Sequence, residues 1–304
     1  MRVAAIDCGT NSLRLLIADI DHGNFREIYR TMEVVRLGEG VDQNKTFKLE
    51  AIDRTLTSLQ TFSREITRRG VERIRFCATS ATRDATNRDL FIKGVEEILG
   101  ITPEVIPGTE EASLSFRGAT KELAMAEGPF LVVDIGGGST EFVYGTENVI
   151  SARSVNVGCV RMAERHQLTS PLSESSRIAA IADIDAAIAE AASEVPITKA
   201  RSVIAVAGTA TTVAAAALGL ETYDRYAIHL ARISAEKTHE IAQLFAAMTR
   251  SEIAALGYMH PGRVDVITAG SLVLSRIMSA TGAKEFIASE SDILDGMAWS
   301  LAEK

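Results

Sequence analysis

Two hydrophobic periods alternate along the chain. Residues 3 to 19, VAAIDCGTNSLRLLIAD, read as strand, tight turn, strand: an apolar run ends in an acid and a glycine, and Leu13, Leu15 and Ile17 then recur at every second position. FREIYRTMEVVRL (25 to 37) predicts a third strand. Leu49, Ile52, Leu56, Leu59, Phe62 and Ile66 then recur at three and four residues, the period of an amphipathic helix, and Gly70 stops it. VERIRFCATS (71 to 80) predicts a buried strand, followed by a helix through Leu99, a short extended PEVIP (103 to 107) and a helix over about Glu110 to Ala126.

The second half repeats this order. Strands are predicted at 130 to 135, 139 to 145 and 149 to 157, then helices, a strand at 201 to 208, a last strand KEFIAS and a helix from about Ser291. The alanine-rich 173 to 195 reads as a helix by propensity, with no special chemistry. Laying Asp7 on Asp134 aligns two copies of DxGxxS: Gly9 meets Gly136, Ser12 meets Ser139, and Arg14 falls on Glu141. So distant a repeat predicts two similarly folded halves. The expectation is an α/β protein of two domains, each a mixed sheet flanked by helices, with the ligand crevice between them. Gly128 and Pro129 mark the boundary, giving 1–127 and 128–304, with the C-terminal helix of about 291–304 able to pack back on the first domain.

Composition narrows the class. At 304 residues the chain exceeds the size at which one core stops growing, and 46% hydrophobic with 24% charged residues is ordinary for a soluble globular protein. A net charge of -8 argues against a general nucleic-acid surface. No apolar run approaches the roughly 20 residues that span a bilayer, and MRVAAIDCGT puts an acid where a signal peptide needs its hydrophobic region, so the expected location is the cytoplasm, away from any membrane. Cys8, Cys77 and Cys159 are odd in number, far apart and in apolar stretches, which predicts buried free thiols. His22, His166, His229, His239 and His260 show no metal-ligand spacing.

The glycines carry the first chemistry. In LVVDIGGGSTEFVYG, Gly136, Gly137 and Gly138 interrupt a buried strand pair that gains nothing from them, which suggests that the main chain is wanted bare. Uncovered N–H groups let phosphate oxygens approach the backbone. Neither a Walker loop nor GxGxxG is present. One such turn is equally an ordinary hairpin; two, at Gly9, Thr10, Asn11, Ser12 and at Gly136 to Ser139, favour phosphate. VIAVAGTATTVAAA adds a third element, a strand ending at Gly208 and running into Thr209, Thr211 and Thr212 at a helix start, where amides and hydroxyls suit an anion. A merely capped helix is the plainer reading of that element alone.

The set IDCGTNSLRLLI, ATSATRDATN, PGTEEASLSFRGA, DIGGGSTEF, NVGCVRM and AVAGTATT, in this order over residues 3 to about 300, resembles the exopolyphosphatase and guanosine pentaphosphate phosphohydrolase family of the actin-like ATPase superfamily, in a short two-domain form. The resemblance implies two actin-like, ribonuclease H-like domains around a hinged cleft, Mg²⁺ dependence (Mn²⁺ as the alternative ion), a homodimer, and hydrolysis of a terminal phosphoanhydride in polyphosphate or guanosine pentaphosphate. Within it, the acid before the alanine in GTEEA, Glu111, resembles the catalytic base, with Glu110 orienting or capping, and Glu141 is the second essential acid.

Such chemistry needs cations against phosphoryl oxygens. Asp7, Asp134 and Glu141 are the candidate holders of Mg²⁺, directly or through its waters. Arg83, just past a buried strand, is the candidate phosphate contact, although a solvated helix arginine is the bland alternative. Arg14 comes just after the first turn with its direction open. Arg68, Arg69, Arg73 and Arg75 read as a solvated helix end rather than a polyanion track. The leading expectation is an exopolyphosphatase; the alternatives are a pppGpp phosphohydrolase, a kinase of the superfamily, or a nucleotide sensor that would not need Glu111.

Overall fold

Alternation along one central strand decides how the first unit is built. In the computed structural model, which describes residues 1–21 and 24–302, β1 (Arg2–Cys8) is buried along almost its whole length. His22, Gly23, Glu303 and Lys304 lie outside the described residues. β1 pairs antiparallel with β2 (Ser12–Asp21), which pairs with β3 (Asn24–Val34). After α1 (Val41–Asn44) and α2 (Leu49–Arg68), β4 (Arg73–Ala78) joins the other side of β1 in parallel. α3 (Ser80–Asp84) and α4 (Arg88–Leu99) lead to the edge strand β5 (Glu104–Val105), and α5 (Gly108–Thr120) comes next. The sheet order is β3-β2-β1-β4-β5.

Successive residues of a strand face opposite sides of its sheet. Ala4, Ile6, Cys8, Leu13, Leu15 and Ile17 therefore join one core with α2 and α4, whose inward residues include Ile52, Leu59, Phe62, Phe91 and Val95. Val3, Ala5, Leu16, Ala18 and Cys77 join a second core with Leu114 of α5 and with Ile293, Leu294, Met297 and Ala298. By the same alternation Asp7, Arg14 and Arg75 belong to the second face.

The second unit, Ala119–Asp292, is built the same way. A 3₁₀ turn (Met125–Glu127) stands where the sequence predicts the end of a longer helix, and Gly128 precedes a cis Pro129. β6 (Phe130–Ile135) is buried throughout and pairs antiparallel with β7 (Thr140–Gly145), which pairs with β8 (Val149–Val155). Next come α6 (Cys159–Arg165) and the alanine-rich α7 (Glu174–Glu194), the latter capped by Ser173 accepting from the Ser176 amide. β9 (Ser202–Val206) lies parallel to β6, then come α8 (Ala207–Ala217), α9 (Arg225–Ile228), β10 (Arg232–Ser234), α10 (Ala235–Ala247), α11 (Arg250–Ala254), α12 (Ile267–Thr281) and β11 (Glu285–Ala288). The order is β10-β11-β9-β6-β7-β8; β10, three residues long, has no predicted counterpart because so short a run carries no readable period. Each unit is thus a mixed sheet with helices on it, the architecture expected from the pattern. Among the described residues, no helix is long and apolar enough to cross a membrane.

α13 (Ile293–Ala302) returns to the first unit, Met1–Gly118 with Ile293–Lys304, and packs on β1, β2 and β4. Arg30 of β3 donates to Asp295 at 2.6 Å, with both side chains largely buried. Gly296 rests against the backbone of α5: a Cβ there would stand 2.0 Å from the Leu114 carbonyl oxygen. Gly296→Ala must push two helices apart and is expected to cost about 1–3 kcal/mol, the usual range for overpacking. A lowered Tm in thermal unfolding checks this; an unchanged Tm would contradict the close approach.

Candidate active site

Both DxGxxS turns close with the same hydrogen bond. The Gly9 amide donates to the Ser12 carbonyl and the Gly136 amide to the Ser139 carbonyl, each at 3.0 Å. A later segment of each unit ties the remaining carbonyls of its turn back. In the first unit the Val35 and Arg36 amides donate to the Asn11 carbonyl at 3.0 and 2.9 Å, and the Gly38 amide to the Thr10 carbonyl at 2.8 Å. Gly38 is required there, because a Cβ would lie 2.3 Å from the Thr10 methyl.

In the second unit the start of α6 plays this part. Amides of Cys159, Val160 and Arg161 donate to the carbonyls of Gly136 and Gly137 at 2.9 to 3.0 Å, and the buried Arg161 donates through Nε to the Gly138 carbonyl at 2.5 Å. A trans peptide points its C=O and N–H in opposite directions. With these three carbonyls turned toward α6, the amides of Gly137, Gly138 and Ser139 point away from it. The same reasoning turns the amides of Asn11 and Ser12 away from residues 35 to 38. Bare, co-directed amides of this kind form an anion-binding concavity.

The acids sit one position from the turns, in register. Asp7 lies opposite Arg14 across β1 and β2, and Asp134 opposite Glu141 across β6 and β7. Directly opposed residues of an antiparallel pair share a face. Arg14, whose direction the sequence leaves open, reaches Asp7 Oδ2 with Nη2 at 2.6 Å and Nε at 2.9 Å. At the equivalent place in the second unit two carboxylates stand side by side, an arrangement that is unfavourable unless a cation joins them or one is protonated. Ser154, opposite Glu141 on β8, donates to Glu141 Oε1 at 2.6 Å and fixes that carboxylate.

Among the described residues no three His, Cys, Asp or Glu side chains gather into a ready-made metal cage. Mg²⁺ seldom uses one: it binds through one or two carboxylates, keeps waters and takes substrate phosphate oxygens. The hard-oxygen pair Asp134 and Glu141 fits that ion.

Glu111 and Arg83 come together. Arg83, in α3 after β4, donates from Nη1 to Glu111 Oε2 at 2.7 Å and to the Ile106 carbonyl at 2.9 Å. Glu111 is nearly buried in the first turn of α5, where the positive end of the helix dipole favours its charge. Glu110 points elsewhere, to Arg75. Arg75 overturns the solvated reading made of the arginine cluster: it lies in β4 with a side chain only 10% exposed. Arg68 and Arg69 remain paired with Glu65 on the helix, and Arg73 reaches the Leu301 carbonyl.

At the third motif the strand-to-helix junction is strained, with Ala207 at φ 65°. Thr209 is buried, and its Oγ1 lies 2.4 Å from where a Cβ on Gly270 of α12 would stand, so its side chain points into the core while its amide stays at the helix start. A residue that the sequence reading does not single out lies over Gly208: the Arg263 guanidinium fills the space that a Cβ would need, and its Nη1 donates to Thr212 Oγ1 at 2.9 Å. Arg161 and Arg263 come after glycines in NVGCVR and HPGR, which is the one signal that marks them. Cys8, Cys77 and Cys159 are free and buried, as predicted; burial pushes the Cys159 thiol up to about 11 and the others above the ordinary range, so all three are unreactive.

Paired glycine turns, each with an acid at the end of the strand before it, recur in two α/β units. Residues 16–304 match the model of the Ppx/GppA phosphatase family, and the chain belongs to that family. It is 44% identical to Exopolyphosphatase 2 of Mycobacterium tuberculosis, over 99% of this chain and 98% of that protein. A solved exopolyphosphatase-like protein is 42% identical with a TM-score of 0.95, covering 100% of this chain and 99% of that one. An exopolyphosphatase of Cytophaga hutchinsonii is 26% identical with a TM-score of 0.91, covering 100% and 98%.

Gly158 tests the turn. A Cβ there would lie 2.5 Å from the Gly137 carbonyl, so Gly158→Ala must displace the triglycine backbone. Affinity for inorganic tripolyphosphate, measured by calorimetry, is expected to fall at least about tenfold, the worth of one to two lost hydrogen bonds.

Proposed function

We propose that this protein is an exopolyphosphatase, releasing terminal phosphate from inorganic polyphosphate by attack of water. The observation that carries the reading is the 2.7 Å contact of Arg83 with Glu111, a guanidinium beside a nearly buried carboxylate at a helix start, which supports phosphate binding by the one and water activation by the other. Similarity to Exopolyphosphatase 2 along nearly the whole of both chains supports the choice of substrate.

In this mechanism Arg83 leaves Glu111 for an oxygen of the terminal phosphoryl group, because a guanidinium binds phosphate as readily as carboxylate. Glu111 is then turned to a water molecule. As the water oxygen bonds to phosphorus the bridging P–O bond breaks, the shortened polyphosphate leaves, and the water proton passes to Glu111 and on to the products. In this reading amides of residues 10 to 12, 137 to 139 and 208 to 209 hold phosphate oxygens, whereas those of Gly9 and Gly136, expected to do the same, already donate to the Ser12 and Ser139 carbonyls and only close their turns. Asp134 and Glu141 would hold Mg²⁺, or Mn²⁺ in its place, with Asp7 taking part through water since its Oδ2 accepts from Arg14. The ion supplies the positive charge that lets an acidic protein meet a polyanion.

The reading includes pppGpp as a second substrate with the same kind of phosphate terminus and a homodimer, as the family resemblance implies, and the cytoplasmic location expected from the sequence. Phosphate release from long-chain polyphosphate and from pppGpp, assayed side by side, decides the preference; release from neither would end the proposal.

Glu111→Gln is expected to lower kcat by about 10² to 10⁴, the usual contribution of a general base, while polyphosphate binding persists. Unchanged turnover would remove Glu111 from the mechanism. EDTA should abolish release and added Mg²⁺ restore it, with Glu141→Gln raising the Mg²⁺ concentration needed for half-maximal rate; a requirement identical to wild type would take Glu141 out of the ion's shell.

A further inference from the structure

We infer that Arg75 is a positioning residue for the reaction: by holding Glu110 it fixes the first turn of α5 and thereby the direction in which Glu111 leaves that turn. The inference rests on the role proposed above for Glu111.

Adjacent helical residues are separated by about 100° around the axis, so Glu110 and Glu111 must find different partners. Arg75 Nη2 donates to Glu110 Oε1 at 2.5 Å, while Arg83 takes Glu111. These two ion pairs grip one turn from two directions. The turn needs such a grip. It opens at Gly108, and the amides of Glu110 and Glu111 share a single acceptor, the Pro107 carbonyl, both at 3.1 Å. First-turn amides lack the intrahelical ladder that stiffens the rest of a helix.

Arg75 is suited to the task by its origin. It projects from β4, opposite Ala5 of the central strand, so its stem cannot shift. Its other donors are engaged as well: Nη2 and Nε with Glu104 of β5 at 2.8 and 3.2 Å, and Nη1 with Ser300 Oγ of α13 at 2.9 Å. Burial alone would lower its pKa, yet hydrogen bonds with Glu104 and Glu110 and the surrounding negative charge hold it above the ordinary arginine value, so it stays charged. Gly296 against the Leu114 carbonyl sets the next turn of α5 from the same side.

Magnitude separates this role from a merely stabilising one. Glu104 and Glu110 are 48% and 42% exposed, and pairs so open to solvent add little to stability. A small misplacement of a catalytic group, by contrast, costs rate heavily. The effect should therefore be seen in turnover more than in melting.

Arg75→Met, Glu110→Gln, the double variant and Arg75→Lys test this with long-chain polyphosphate and Mg²⁺, Arg68→Met serving as the surface control. Arg75→Met and Glu110→Gln are each expected to lower kcat about tenfold with KM within about twofold, the signature of lost alignment rather than lost binding. The double variant should be no slower than the slower single, because both remove one contact. Arg75→Lys should recover part of the rate, and amide exchange at residues 108 to 113 should quicken in Arg75→Met but not in Arg68→Met. An unchanged kcat per folded molecule in Arg75→Met, a loss confined to KM, or additive losses in the double variant would overturn the positioning role alone. A wild-type chain that releases no phosphate would overturn the functional reading and this role with it.

Discussion

The direction of a few peptide carbonyls governs this molecule. A glycine turn presents amides to an anion only if its carbonyls are held on the other side, and each unit devotes a whole segment to that task. In the second unit the amides at the start of α6 and the buried Arg161 are consumed by Gly136, Gly137 and Gly138. In the first, residues 35 to 38 do the same for Thr10 and Asn11. The glycines at 38 and 158 are needed because these retaining segments approach to the backbone or side chain of the turn.

On that shared frame the two copies differ in the charge of one residue, an arginine in one and a glutamate in the other. Asp7 faces an arginine and Asp134 faces a glutamate at the same register position. The first turn therefore has an arginine facing its acid, whereas the second has a second carboxylate there. A protein of net charge -8 can treat a polyanion as a ligand only if such local imbalances are met by a cation.

Much of this was legible in the sequence, for physical reasons. Period two in Leu13, Leu15 and Ile17 and period three to four in Leu49 to Ile66 reflect burial on one face, and the structure has β2 and α2 there. The DxGxxS repeat was readable because backbone exposure restricts residue type to glycine. Register was not: that Arg14 meets Asp7 depends on strand pairing, which a single strand does not encode. Nor was the fate of Arg75. Its neighbours Arg68, Arg69 and Arg73 suggest a solvated run, and only the face that β4 turns toward α5 and α13 makes it a buried node. Arg263 lies far along the chain from Gly208, and nothing local marks the meeting.

The last helix has a consequence for how the chain is made. One face of the first sheet, lined by Val3, Ala5, Leu16 and Ala18, is completed by side chains from residues 293 to 298. During synthesis that face waits uncovered until residues 293 to 298, made long after the strands they cover, have left the ribosome. A contiguous N-terminal fragment would carry the same exposed apolar surface permanently, so the first unit cannot be isolated by cutting the polypeptide once.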